Sequence, residues 1–143
     1  MKRISQEAFK DLLNSFESKI IDFKSQHYNF SFEDDKVSFL KDIISFVNTI
    51  RDESAYIILG ANEKNSDHPG ITYSVDSSIF QNLLNDLVTP VPDITYQEIN
   101  CEGVNFGVIE IPVRKYPAPI TSNKSHGDKL LAEMVYIRKG STN

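Results

Sequence analysis

Phe9, Leu12, Leu13 and Phe16 recur at i, i+3, i+4 and i+7, the spacing of one helical face, with Ser5 placed to cap it. A short apolar strand follows from about Lys19 to Lys24. Ser31-Phe32-Glu33-Asp34 then has the S-x-x-D form of a capping box, and Glu33, Asp34 and Asp35 put negative charge in a first helical turn. Val37, Leu40, Ile43, Ile44 and Val47, widened by Phe39 and Phe46, predict a well-buried helix ending near Asn48 to Arg51. Asn48 reads as a C-cap or as a polar group facing a site.

Tyr56-Ile57-Ile58-Leu59-Gly60-Ala61 is a continuous β-forming run, which predicts a central strand covered on both faces. Pro69-Gly70 marks a turn before a short strand over Ile71 to Val75. Asp76 or Ser77 is placed to cap a helix carrying Ile79, Phe80, Leu83, Leu84 and Leu87, stopped by Pro90 and Pro92. Ile94 to Asn100, Glu102-Gly103 and Val104 to Ile111 read as a β-hairpin. An irregular crossing over Pro112 to Pro119, a polar loop over Ser122 to Asp128 and a last strand over Met134 to Arg138 complete the chain. The expectation is one α/β (α+β) domain over residues 1–143, with a mixed sheet of about six strands and three helices. Because it stops just after a strand and a glycine, it reads as the N-terminal part of a longer polypeptide.

Composition narrows the classes. The 143 residues suit one domain, and no run approaches the ~18 apolar residues of a membrane span, so no membrane partner is expected. Cys101 is the only cysteine, which excludes an internal disulfide and a cysteine-based zinc site and fits a reducing cytoplasm. The net charge of −5 argues against a generally basic nucleic-acid binder. Its distribution is uneven: residues 1–110 hold 9 Lys+Arg against 18 Asp+Glu, whereas residues 111–143 hold 6 against 2. That excess of four cations is able to make a local positive surface on an acidic protein.

The chemistry concentrates in Glu17-Ser18-Lys19-Ile20-Ile21-Asp22-Phe23-Lys24. Alternation along a strand sends Ile21 and Phe23 one way and Ile20, Asp22 and Lys24 the other, with Glu17 at the strand mouth. Acids and a base at one strand end suit a divalent metal or a phosphate. A surface salt bridge on an edge strand is the plain alternative.

Four pieces stand in order: E-x4-[ED]-F-K at Glu17 to Lys24; Phe46-Val47-Asn48-Thr49 leading into Tyr56 to Gly60; Ile109-Glu110-Ile111-Pro112 followed by Pro117 and Pro119; and the closing Tyr136-Ile137-Arg138-Lys139-Gly140-Ser141. Together they resemble the Schlafen-type AlbA-like domain found in Schlafen and prokaryotic Schlafen-like proteins. The resemblance implies DNA or RNA binding. In nuclease members of that family three acidic positions bind a divalent metal and cut structured RNA such as tRNA. Glu17, Asp22 and Glu63 match those positions, the last two each differing by one methylene, with Lys24 placed to assist and Mg²⁺ or Mn²⁺ as the implied ion. The family's glycine pair before the central strand is replaced by Ile50 to Ala55, so that turn must be built without glycine.

Three function classes follow. The first is a nucleic-acid-binding regulatory or recognition module, with Lys24, Arg114, Lys115, Lys124, Arg138 and Lys139 as phosphate-holding candidates. The second is a metal-dependent endoribonuclease using Glu17, Asp22, Glu63 and Lys24. The third is an interaction or homodimerisation domain of a defence or signalling protein. His27, His68 and His126 share no ligand spacing and read as surface or loop histidines. No Walker-type glycine loop follows Gly60, so no ATP site is expected, and Tyr136 and the phenylalanines read as core.

Overall fold

The computed structural model of the chain describes residues 3–62, 67–113 and 119–138. The described elements run α1 (Gln6–Leu13), β1 (Ile21–Lys24), α2 (Glu33–Asn48), β2 (Ala55–Leu59), α3 (Ser78–Leu87), β3 (Val88–Thr89), β4 (Thr95–Cys101), β5 (Val104–Ile111) and β6 (Thr121–Ser122). Four strands form a mixed sheet in the order β1-β2-β5-β4, with β1 parallel to β2 and the other pairs antiparallel; β3 and β6 form a separate ladder. Among the described residues the expected α+β class and three helices are present, but the six strands are divided between a four-stranded mixed sheet and the β3–β6 ladder, whose strands the pattern does not mark.

Side-chain alternation sorts the core into two layers. Ile21 and Phe23 of β1, Ile58 of β2, Ile99 of β4, and Phe106 and Val108 of β5 close over Phe9 of α1. Ile57 and Leu59 of β2, Tyr96 of β4, and Ile109 and Ile111 of β5 face α2 and α3, where Phe39, Leu40, Ile43, Phe46, Phe80 and Leu84 are buried. β2 is apolar throughout because both its faces are covered. Asp22 and Lys24 project from β1 toward the α2 layer, so two charged residues sit at the edge of the larger core.

Several boundaries differ from the sequence reading. α1 ends at Leu13 and leaves Phe16 79 % exposed, outside the apolar face assigned to it. The capping box does not form. Phe32 occupies the N-cap without a side-chain bond, while Asp35 Oδ2 accepts from Asn29 N at 2.7 Å and Asn29 Oδ1 accepts from Ser31 N at 3.0 Å. Ile71 to Val75 is a loop rather than a strand, because Val75 N–H donates to the Glu98 side chain at 3.0 Å and not to a neighbouring strand. Met134 to Arg138 likewise pairs with no strand among the described residues. Its backbone is held from α2's end instead, by Asn48 Nδ2 on Tyr136 O (3.1 Å) and by Thr49 Oγ1, which accepts from Arg138 N (2.7 Å). Asn48 is therefore a tether, bonded also to Ile120 O and Ile120 N, and the C-cap is Thr49.

Arg51 explains how the turn after α2 dispenses with glycine. Its guanidinium donates to Phe46 O, Glu53 O and Ile111 O, each at 3.0 Å, supplying partners for a helix-end carbonyl and the turn. Glycine is required one strand later. At Gly60 (φ +92°) a Cβ would lie 2.7 Å from the backbone of Gly70 and Ile71, so this close approach holds the 70–75 loop against the end of β2.

Candidate nucleic-acid interface

β1 and α2 build the site together. From β1, Lys24 Nζ lies 3.2 Å from Asp22 Oδ2 and, across the layer, 3.4 Å from Asp42 Oδ2 on α2. Asp42 Oδ2 also accepts from Tyr28 Oη at 2.6 Å. On the other side of Asp22, Arg138 Nη2 is 3.5 Å from Oδ1, and the same side chain donates from Nε to Ser18 O at 2.7 Å. The Arg138 guanidinium lies over the Phe46 ring, 4.4 Å from its centroid. Glu17 Oε2 accepts from Phe23 N at 3.1 Å, and its carboxyl group reaches hydrogen-bonding contact with Asp22. Asp22, Asp42 and Arg138 are each 5 % exposed or less, whereas the Lys24 side chain is 36 % exposed.

The electrostatics follow from this burial. Desolvation pushes the Asp22 carboxyl up, but the hydrogen bond from Glu17 and the charges of Lys24 and Arg138 outweigh it and hold Asp22 below the usual carboxylate range. Burial likewise opposes the charge on Lys24, yet Asp42 and Asp22 win and raise its pKa. Tyr28 stays protonated well beyond its ordinary range, chiefly through burial and then through Asp42.

Five of the nine sequence-derived candidates fall within the described residues. Glu17, Asp22, Lys24 and Arg138 come together. Glu63, Arg114, Lys115 and Lys139 lie outside the described residues. Lys124 is exposed, but it sits in the loop over the first turn of α2, where His126 Nδ1 meets Glu33 at 2.9 Å and Lys129 meets Asp34 at 3.0 Å. Glu33 and Asp42 are nine residues apart, or about 13.5 Å along the helix, so Lys124 and Lys24 occupy different stretches of α2. Arg138 is turned inward, and the structure gives it the role of a clamp on the β1 mouth. Asp42 and Tyr28 escaped the sequence reading. Asp42 stands among helix positions read only for their apolar stripe, and the sole available signal was an acid flanked by Leu40 and Ile43 in a buried segment.

Among the described residues, no group of three His, Cys, Asp or Glu side chains is arranged to hold a metal ion. Asp22 already faces two cations, so a divalent ion there would have to displace Lys24 or Arg138. Glu63, the third acid of the implied set, lies outside the described residues, so Glu17 and Asp22 are the part of that set the structure places.

A second polar cluster lies across the same sheet face. Tyr96 Oη donates to Glu98 Oε2 at 2.6 Å and lies 3.1 Å from His27 Nε2. His27 and His126 are in loops, as expected, but both are buried rather than at the surface. Burial lowers the His27 pKa below its ordinary value near 6.5, only partly offset by Glu98. A depressed histidine pKa contributes stability that is present above the unfolded value and lost as pH falls. Unfolding free energy should thus begin to decline below about pH 6.5, and His27→Gln should flatten that first decline in a denaturant series. An unchanged profile between pH 6.5 and 5 would refute the assignment.

The two-sided mixed sheet, with an acid–lysine–arginine cluster on its parallel edge strand, defines a compact α+β module built around one charged strand. The family model described as Schlafen, AlbA_2 matches residues 17–143, and the chain belongs to that family. Among solved structures, the N-terminal domain of a protein related to the RecG ATP-dependent DNA helicase, from Nitrosomonas europaea, is similar with a TM-score of 0.58 at 19 % identity, covering 99 % of this chain and 92 % of that one. The DIP2311 protein of Corynebacterium diphtheriae is similar with a TM-score of 0.49 at 13 % identity, covering 73 % of this chain and 19 % of that one. No curated protein matches the chain. Among the described residues, no helix is long and apolar enough to cross a membrane.

Proposed function

We propose that this domain is a nucleic-acid-binding module that grips the phosphate backbone and acts in recognition rather than cleavage. The observation that carries this reading is membership of the Schlafen, AlbA_2 family across residues 17–143, a span that contains the whole Asp22–Lys24–Arg138 cluster. The fold shared with the N-terminal domain of a RecG-related protein supports a role beside nucleic-acid machinery. Lys24 offers a partly exposed ammonium group whose charge is secured by two buried carboxylates. Lys124 adds an exposed cation along α2. Contacts of this kind hold phosphates without reading sequence.

Binding should therefore be salt-dependent. Anisotropy of labelled DNA and RNA is expected to show affinity that falls steeply between about 50 and 200 mM salt, and Lys124→Glu should reduce the log–log slope by at least about 1. No binding at the lowest salt would refute the proposal. The contact between Glu17 and Asp22 is what favours a nuclease reading, and tRNA with Mn²⁺ separates the two. Binding without turnover is expected; cleavage abolished in Glu17→Ala and Asp22→Ala would replace the recognition role by a catalytic one.

A further inference from the structure

The cluster around His27 is unusual for its position. β4 presents Tyr96 and Glu98 on the face where β2 and β5 present Leu59, Ile109 and Ile111, so polar groups occupy a layer that is otherwise apolar. Gly107 on β5 makes this possible, because a Cβ there would sit 2.9 Å from the Tyr96 ring and hydroxyl. The network fixes a surface feature. Glu98 Oε2 accepts both Tyr96 Oη and Val75 N–H, which ties the end of the 71–75 loop to β4. His27 backs the ring of Tyr73 in that loop, with centroids 5.0 Å apart and planes tilted by 33°. Tyr73 remains 46 % exposed. It is thus an aromatic ring held in place from beneath and uncovered above.

That ring lines an open cleft of about 460 Å³, within the range of small-ligand sites. Hydrogen-bonding groups of both signs surround it. Glu98 brings carboxylate oxygens, and Arg3, whose Nη2 donates to Glu98 O at 3.0 Å, brings further guanidinium N–H groups. Asn105 Oδ1 accepts from Asn100 Nδ2 at 2.9 Å, which orients its own amide donors away from that bond. A fixed aromatic face with donors and acceptors at its rim matches a planar heterocycle with a mixed donor–acceptor edge.

Register connects the cleft with Lys24. Lys24 pairs with Leu59, Leu59 with Gly107, and Gly107 with Glu98, so Lys24 and Glu98 stand on one row of the same sheet face. Three strand spacings separate them by about 14 Å. Leu59 and Gly107 between them are buried, so the row fixes the separation of Lys24 from the cleft and not a path across the face.

We propose that this cleft receives an unpaired nucleobase stacked on Tyr73, with Glu98, Arg3 and Asn105 at its edge, so that the domain selects single-stranded or looped nucleic acid over duplex. This inference rests on the binding function proposed above and deepens it. The pocket cannot take a base still paired within a helix, which is why strandedness is its signature.

The test uses a single-stranded oligonucleotide carrying one 2-aminopurine, a fully paired duplex of the same sequence, and the whole chain. Wild type should bind the single strand more tightly and quench the 2-aminopurine fluorescence. Tyr73→Ala should abolish the quenching and weaken binding by about 5- to 150-fold, the range for loss of one stacked base. Tyr73→Phe should retain both, and this variant separates stacking from loss of loop structure. Asn105→Ala should weaken single-strand binding. If wild type binds neither probe at low salt, the nucleic-acid reading itself falls and the cleft assignment falls with it. If both probes bind equally, without quenching and without sensitivity to Tyr73→Ala, only the base pocket is overturned.

Discussion

Replacing Arg138 by methionine is expected to lower the unfolding free energy by about 3–5 kcal/mol, the range for removing one partner of a buried ion pair. For a domain of this size that corresponds to a fall in Tm of roughly 10–15 °C. Methionine can still pack on Phe46, so the change isolates the charge and its hydrogen bonds from the loss of volume. It leaves Asp22 with one cation fewer, and Ser18 O and Ile21 O without the guanidinium that reaches them. It also loosens the 134–138 segment, since the guanidinium and the backbone bond to Thr49 both hold it. Chemical denaturation of the variant beside Asp22→Asn and the double variant measures the coupling. Additive effects, or a loss below about 1 kcal/mol, would show that Arg138 is a surface group after all.

Replacing Lys24 by methionine is expected to change the acid end of the stability profile. In the wild type, Asp22 titrates below its unfolded value, so its contribution is present above about pH 4 and is lost as pH falls through the folded pKa. Lys24 titrates above its unfolded value, so its own contribution is complete below about pH 10 and is lost only on further alkalinisation. Without Lys24, Asp22 and Asp42 face each other in a buried site with the ammonium bridge gone. One carboxyl group then gains from holding a proton, and its folded pKa rises above the unfolded value. By the same rule this pair contributes more stability in the variant as pH falls from 7 toward 5, against the His27 decline that both proteins share, so the gap between variant and wild type narrows. At pH 7 the loss should be about 2 kcal/mol, less than for a fully buried partner because Lys24 is partly in solvent. A variant whose stability falls in parallel with the wild type over that interval would refute the bridge.

Both expectations turn on residues that the chain displays with very different clarity. Asp22 and Lys24 were visible because alternation along β1 puts them on one side, opposite Ile21 and Phe23, and the structure keeps that division. The hairpin of β4 and β5 was equally plain, because Glu102-Gly103 is a two-residue turn and both residues adopt positive φ. Asp42 was hidden. Helical periodicity marks which residues are buried, not which buried acid will find a lysine from a strand 18 residues earlier. Tyr73, His27 and Glu98 were hidden for the same reason. They come from a loop after β1, a loop after β2 and the edge strand β4, and only packing brings them together.

Local pattern also misleads where a side chain takes over a backbone bond. Ile71 to Val75 has strand-like composition, but the Glu98 carboxylate accepts the N–H that a neighbouring strand would have used. Met134 to Arg138 looks like a closing strand, yet Asn48 and Thr49 at the end of α2 take that part. Ser31 has the form of a cap, and Asn29 and Asp35 make the competing turn. Each of these outcomes depends on a polar side chain arriving from elsewhere at hydrogen-bonding distance.

What the amino-acid order determined by itself was the three helices, the four strands β1, β2, β4 and β5, the two-faced apolar sheet they form and the gathering of Glu17, Asp22 and Lys24 at one strand. These follow from periods of 2 and 3.6 residues, which act over a few neighbours. What only the tertiary structure decided was the partnership of that strand with Asp42, Tyr28 and Arg138, the inward turn of Arg138, and the cleft that Tyr73 lines. Those contacts join residues up to 120 positions apart, and their sign and strength come from the water excluded when α2 closes on the sheet.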